Sequence, residues 1–177
     1  MNMSDVKIRK VKSSDAEQYI KLRNLVWRCA YKDIFPNEVF IAKEARAEVE
    51  IKNFDNVYYN DDKVICYVAE VDGKIVGLLW GKMESEYQHF NNLKYADLMA
   101  MYIHPDFQVK GIGSKFKNIF INWAKDNGAN KFVIGVLKDN QKARKVYEKW
   151  GGKLSDYTNN FVQLNKEYEE VFYTYNI

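Results

Sequence analysis

The chain has 177 residues, 47% of them hydrophobic and 15% aromatic, and a formal net charge of +3. That length and apolar content suit one globular domain and exclude a disordered chain. The small, interspersed positive excess excludes the basic stripe of a dedicated nucleic-acid binder, and two cysteines without a histidine group exclude a disulfide scaffold and a metal site.

The N-terminal MNMSDVKIRKVKSSD lacks the apolar core of a signal peptide. No apolar run approaches the ~20 residues that span a bilayer. A reducing cytoplasm, with no membrane partner, is therefore the expected location, and Cys29 and Cys66 are expected to be buried free thiols. Residues 6–11 (VKIRKV) alternate apolar and charged, as a half-buried strand does. Ser14 and Glu17 have the spacing of a capping box. The helix they would open carries Tyr19, Ile20, Trp27, Ala30 and Tyr31 along one face. Pro36 can occupy the first position of a second helix running to about Ile51. The polar NFDNVYYNDDK separates these helices from a hairpin. Its strands are VICYVAEV (64–71) and KIVGLLWGKM (74–83), joined by Asp72-Gly73, a pair that supplies the positive φ angles of a tight turn.

Residues 84–96 read as a loop, and LMAMYI (98–103) as a short apolar strand. Ile112, Phe116, Ile119, Phe120, Trp123 and Ala124 follow at helical spacing and stop at Asn127-Gly128. KFVIGVL (131–137) is the next strand. Strand, helix, strand in that order predicts a parallel pair with a crossover helix. Ala143, Val146, Tyr147 and Trp150 mark a last helix, stopped by Gly151-Gly152. The tail, 153–177, is rich in Tyr, Phe, Val and Thr. It either completes the sheet with one or two strands or pairs with a second copy in a homodimer. The whole is one α/β domain with a mixed sheet.

HPDFQVKGIGSKF (104–116) places two glycines at a helix start. The P-loop spacing G-x-x-x-x-G-K-[ST] is absent. The dinucleotide fingerprint G-x-G-x-x-G fails at its third position, which is Phe116. What the chain does contain is Q-x-x-G-x-G, Gln108 to Gly113, between an apolar strand and an apolar-faced helix. Free amides and a partial positive charge at the helix start make this a nest for a pyrophosphate, although a glycine pair before a helix is also an ordinary turn.

LMAMYIHPDFQVKGIGSKF, followed about 30 residues later by NQKARKVYEKWGG, resembles the GNAT N-acetyltransferase superfamily. Asn140, Ala143, Tyr147 and Gly151 fill its N-x-x-A-x-x-x-Y-x-x-x-G pattern, and WRCAYKDIFP looks like its acceptor-side helix and turn. The resemblance implies one N-acetyltransferase domain over 1–177. Its fold would be a mixed, mostly antiparallel sheet flanked by helices, with a splayed parallel central strand pair. Acetyl-CoA would be the cosubstrate, with no metal. Amides of Gln108, Val109, Lys110, Gly111, Ile112, Gly113 and Ser114 would hold the pyrophosphate, with Lys110 either adding charge or merely solvated. Backbone groups of Met101, Tyr102 and Ile103 would pair with the CoA arm as an added strand does, and one amide there would hold the oxyanion.

Asn140 serves as a helix N-cap, a contact to the CoA arm, or both. Tyr147 is either a core tyrosine or, as the resemblance implies, the acid that protonates the departing thiolate. Glu84, Glu86 and Asp97 are candidates for the base, while His104 caps a loop. Trp27, Tyr31 and Phe35 would meet the acceptor, a small-molecule or peptide amine. The alternative is a non-catalytic acyl-CoA-binding module.

Overall fold

The structure, a computed structural model, describes residues 6–91 and 95–177. Strand β1 (Lys7–Lys10) is followed by helix α1 (Ala16–Tyr31). Three short helices come next: α2 (Asn37–Ala45), α3 (Ala47–Lys52) and α4 (Phe54–Tyr58). The chain continues through β2 (Val64–Val71), β3 (Lys74–Lys82), α5 (Gln88–Asn91), β4 (Ala96–Ile103) and α6 (Ile112–Asp126). It closes with β5 (Lys131–Leu137), α7 (Gln141–Lys149), β6 (Lys153–Gln163) and β7 (Lys166–Asn176). The seven strands form one sheet in the order β1-β2-β3-β4-β5-β7-β6, antiparallel throughout except for β4 and β5. The expected α/β fold with a parallel central pair is what forms, and the tail completes the sheet as a hairpin.

Two tight turns set the hairpins. Asp72 and Gly73 take φ of 49° and 74°, and Leu164 and Asn165 take 47° and 62°. Both pairs are left-handed, as a two-residue hairpin requires.

Helix α6 packs on one face of the sheet, with Ile112, Phe116, Phe120 and Ala124 buried against Leu79, Leu98, Phe132 and Ile134. Helix α1 covers the other face, where Tyr19, Ile20 and Val26 meet Val68, Cys66 and Leu78. An extra residue on β4 lets both faces use the same strand. Trp80 pairs with Ala100 and Lys82 with Asp97, so two steps along β3 oppose three along β4. Such a bulge re-aims the side chains beyond it. Ala96 and Leu98 lie on the α6 side before it; Met101 and Ile103 do so after it, and Ala100 and Tyr102 turn toward α1.

Several local expectations change. The chain enters α1 through a 3₁₀ turn at Ser13–Asp15, and the cap is Asp15, not the Ser14–Glu17 pair. Asp15 accepts the Lys12 amide at 2.8 Å and is held by Arg9, which also reaches Glu70. The polar Ser14 and Glu17 lack any such tie to the sheet. Pro36 is the N-cap of α2 and not its first residue, and the helix breaks at Arg46 before α3 begins. The supposed polar separator holds α4, because Phe54 meets Tyr19 edge-on and Tyr58 packs against it at a tilt. The loop 84–96 contains α5, which buries Phe90. Cys66 is buried as expected, but Cys29 is exposed because it lies on the solvent side of α1.

Gly81 marks the tightest approach of α6 to the sheet. A Cβ there would lie 2.5 Å from a ring carbon of Phe120 and 2.8 Å from the backbone oxygen of Asp97. Gly81→Ala is therefore expected to cost about 1–3 kcal/mol, as overpacking does, read as a lower midpoint in urea unfolding with an unchanged slope.

Candidate active site

The turn between β4 and α6 is held in shape by its own side chains. His104 opens a 3₁₀ turn at Pro105–Phe107, its Nδ1 accepting from the Asp106 amide at 3.3 Å, so it does cap the loop. Gln108 Nε2 donates to the Ile103 carbonyl at 3.1 Å. Lys110 Nζ donates to the Asp106 carbonyl at 2.7 Å and lies 4.9 Å above the Phe107 ring, so its charge is turned back onto the loop. Val109 is fully exposed with a φ of 60°, an uncommon state for a β-branched residue. Gly111 has a φ of 78° and caps α6, where glycine is required.

From Val109 to Ser114 the amides donate to no acceptor among the described residues; the first helical bond is Lys115 N–H to Gly111 O at 3.1 Å. Gly113 plays a different part from Gly111. A Cβ at 113 would stand 3.5 Å from Ile103 Cδ1 and 3.9 Å from Met101 Sδ. That is ordinary contact, so the fold itself does not demand a glycine there. Its absence of side chain keeps the floor beneath the amides clear.

Next to this turn the sheet opens. Strands β4 and β5 pair only at Ala96–Phe132 and Asp97–Val133, although β4 runs on to Ile103 and β5 to Leu137. On its other side β4 stays paired to β3 as far as Ile103. Met101, Tyr102 and Ile103 thus line a wedge with one backbone edge free of a strand partner.

Helix α7 stands beside the wedge. Asn140 caps it, its side-chain oxygen accepting from the Ala143 amide at 3.2 Å. Ala143, Tyr147 and Trp150 pack on the α6 side of the core. The Tyr147 carbonyl accepts from the Tyr175 hydroxyl at 2.9 Å, which pins the helix to β7. The Tyr147 phenol has no hydrogen-bond partner among the described residues, and burial, then Tyr102 and Tyr175, pushes its pKa upward. It would therefore remain protonated across the working range, as a proton donor must. Tyr102 in turn raises Tyr147, Tyr147 raises Tyr31, and Tyr31 raises Tyr102, each after the larger effect of burial, so the three phenols converge.

The aromatics expected to meet the acceptor gather on the α1 face. Trp27 Nε1 donates to the Tyr102 hydroxyl at 3.2 Å. Trp27 stacks on Phe35 at 5.2 Å and meets Tyr31 edge-on at 5.0 Å. Phe161 and Tyr168 of the β6–β7 hairpin close around Phe35. Lys43 was not singled out from the sequence. Its ammonium lies 4.4 Å over the Trp27 ring, and burial, helped by Arg23, lowers its pKa to about 8.

The three candidate carboxylates stand differently. Glu84 is exposed and paired with Lys63, and Glu86 with Lys82, each at 2.6 Å. Asp97 is buried at the last position of β4 that pairs with β5 and accepts from Ser85 Oγ at 2.7 Å. Sequence reading missed Glu170. Its side chain on β7 accepts from the Tyr87 hydroxyl at 2.8 Å and from Asn159 Nδ2 at 3.2 Å. One signal was available: Glu170 takes an inward position in the alternation of β7, between Tyr168 and Phe172. Among the described residues, no three His, Cys, Asp or Glu side chains assemble as metal ligands, and no helix is long and apolar enough to cross a membrane.

A sequence profile of the acetyltransferase (GNAT) family matches residues 20–152. The chain belongs to the GNAT family. The L-amino acid N-acyltransferase MnaT of Escherichia coli K12 is 27% identical over 84 residues, 48% of this chain and 47% of that protein. The chain thus spans about half the length of this curated relative. Among solved structures, the PaiA N-acetyltransferase of Thermoplasma acidophilum, in complex with coenzyme A, superposes with a TM-score of 0.74 at 18% identity, covering 97% of this chain and 99% of that one. The acetyltransferase YncA of Salmonella typhimurium, described as putative and solved with acetyl-CoA, gives 0.62 at 17% identity, covering 97% and 94%. At these identities the two structures share the GNAT fold with this chain.

Asp97 also provides a test of the site's electrostatics. Burial raises its pKa from 3.8 to about 7, against the pull of Ser85 and Lys82. A carboxyl raised in the folded state contributes stability that is present in full below its unfolded value and is lost as pH rises through the folded value. Asp97→Asn should therefore raise Tm at pH 8 while changing it little at pH 4, a difference readable by calorimetry at both pH values.

Proposed function

We propose that this GNAT chain is an acetyl-CoA-dependent N-acetyltransferase acting on a primary amine by direct attack within a ternary complex. The observation that carries this reading is the juxtaposition of six unpartnered amides, 109–114, with the open backbone edge of β4. A pyrophosphate suits the first, through N–H donors and the positive end of α6. An extended amide-bearing arm suits the second, as an added strand. The PaiA and YncA structures, solved with coenzyme A and acetyl-CoA, support the same ligand here.

When bound, acetyl-CoA supplies a thioester carbonyl at the wedge. The residues around it divide the work. Amides of Val109 to Ser114 anchor the phosphates, while Met101, Tyr102 and Ile103 align the arm. A β4 amide near Met101 or Tyr102 stabilises the oxyanion. Tyr147 gives its proton to the thiolate as the C–S bond breaks; its protonated, hydrogen-bond-free phenol is what supports that role. Asn140, already engaged as an N-cap, keeps α7 and hence Tyr147 in register. Trp27, Tyr31 and Phe35 meet the acceptor, a small-molecule or peptide amine. Neither cysteine is placed for an acyl-enzyme: Cys66 is buried with a thiol pushed up to about 12 chiefly by burial, and Cys29 is exposed on α1. The alternative of a non-catalytic acyl-CoA-binding module leaves the free Tyr147 phenol without a purpose.

Two variants test this assignment. Gly113→Glu should abolish acetyl-CoA binding in calorimetric titration; unchanged affinity would place the pyrophosphate elsewhere. Tyr147→Phe should reduce CoA release by about 10²-fold or more, the usual scale of general acid catalysis, with acetyl-CoA affinity retained. Wild-type turnover in that variant would remove Tyr147 from the mechanism.

A further inference from the structure

Glu170 is a buried carboxylate that no step above uses. It belongs to β7, where it pairs with Leu137 of β5 on one side and Asn159 of β6 on the other. Its side chain does not stay over its own strand. A Cβ built on Gly135 would lie 2.7 Å from Glu170 Oε1, so the carboxylate crosses β5 at Gly135. That position is two residues beyond Val133, the last residue of β5 paired with β4. The carboxylate therefore stands over β5 where the wedge begins, on the face that carries the acceptor-side aromatics. Gly135 is the residue that lets it do so. Any side chain at 135 would occupy the same space.

We propose that Glu170 is the catalytic base that takes the proton from the acceptor's ammonium, an inference that rests on the acetyltransferase reading above. Its surroundings fit that task. Tyr87 and Asn159 are neutral donors that fix its orientation, and no Lys or Arg is paired with it among the described residues. Burial, then the charge of Glu86, raises its pKa, against the opposing pull of Tyr87 and Asn159. The titratable groups facing it are Tyr31 from α1, Glu86 and Tyr87 from the segment after β3, and Asp97 from β4. Asp97 is the rival base, but it is 2% exposed and engaged by Ser85, whereas Glu170 retains 9% exposure.

The proton balance is complete without another reactant. The ammonium gives one proton to the Glu170 carboxylate, leaving a neutral amine. The amine lone pair forms the C–N bond, and the C–S bond breaks. Tyr147 protonates the departing sulfur and regains a proton from the nitrogen of the collapsing intermediate. Glu170 then returns its proton to solvent, so one proton is released for each amide formed. The base must be ionised to act, so kcat/KM should rise with pH through the Glu170 pKa.

The test measures CoA thiol release across pH with acetyl-CoA and three probe amines: a short alkyl diamine, an L-amino acid amide and an alanine-initiated peptide. Glu170→Gln, which keeps both neutral hydrogen bonds, should lower kcat/KM by about 10²–10⁴-fold and abolish the acidic limb. Acetyl-CoA affinity should stay at the wild-type level. Should that variant melt early, Gly135→Ala provides a second arm, since its methyl group displaces the carboxylate; kcat/KM should fall with acetyl-CoA affinity intact. An active wild type whose acidic limb survives in Glu170→Gln, or vanishes only in Asp97→Asn, overturns Glu170 as the base and leaves the acetyltransferase reading standing. A wild type that binds acetyl-CoA but releases no CoA with any probe overturns both.

Discussion

Strands β4 and β5 are joined by two residue pairs, and the site depends on where they part. A parallel pair that continued to Ile103 and Leu137 would seal the sheet and leave its backbone groups satisfied. Parting after Asp97 and Val133 instead frees one edge of β4. The bulge opposite Trp80 and Lys82 matters for the same reason, because it turns Met101 and Ile103 toward α6 and Tyr102 toward α1. One strand thereby serves the turn above it and the aromatics below it.

Glycine positions define the rest of the geometry, each in its own way. Gly81 admits Phe120 and brings α6 against β3 and β4. Gly111 supplies a left-handed φ that ordinary side chains resist, which lets the turn after β4 lead into α6. Gly113 leaves clear space beneath free amides. Gly135 makes room for a carboxylate arriving from a different strand. A helix dipole, an open strand edge, a free phenol and a buried carboxylate are brought to one place by chain reversals and absent side chains, not by long-range charge pairing.

Much of this was legible in the sequence. Strand β5 was readable over its full length from KFVIGVL, and β2 from VICYVAEV, because buried strands are continuous apolar runs bounded by turn residues. The Asp72-Gly73 turn and the Gly111 helix start were readable because each is a local backbone demand, whereas Tyr147 was singled out by the family resemblance alone. The α1 cap was not, since Asp15 is chosen by Arg9 and Glu70, and Glu70 lies 55 residues further along the chain. Helix α4 was hidden by its polar neighbours, and only Tyr19 explains why Phe54 and Tyr58 turn inward. Glu170 was hidden for the deepest reason. Its role depends on Gly135 across a strand pairing, and periodicity along one strand carries no information about what stands opposite.

The turn at Gln108–Ser114 has a thermodynamic consequence. Its shape is fixed by bonds internal to the loop, from Gln108 to Ile103 and from Lys110 to Asp106, and these hold Val109 in a left-handed state. The conformational entropy of that backbone is lost when the protein folds. On the function proposed above, a phosphate group arriving there would meet donors already ordered by these bonds, and the free energy of its contacts would appear as affinity. Folding stability would then be lowered so that binding costs less, and the exposed, left-handed Val109 is where that cost is carried.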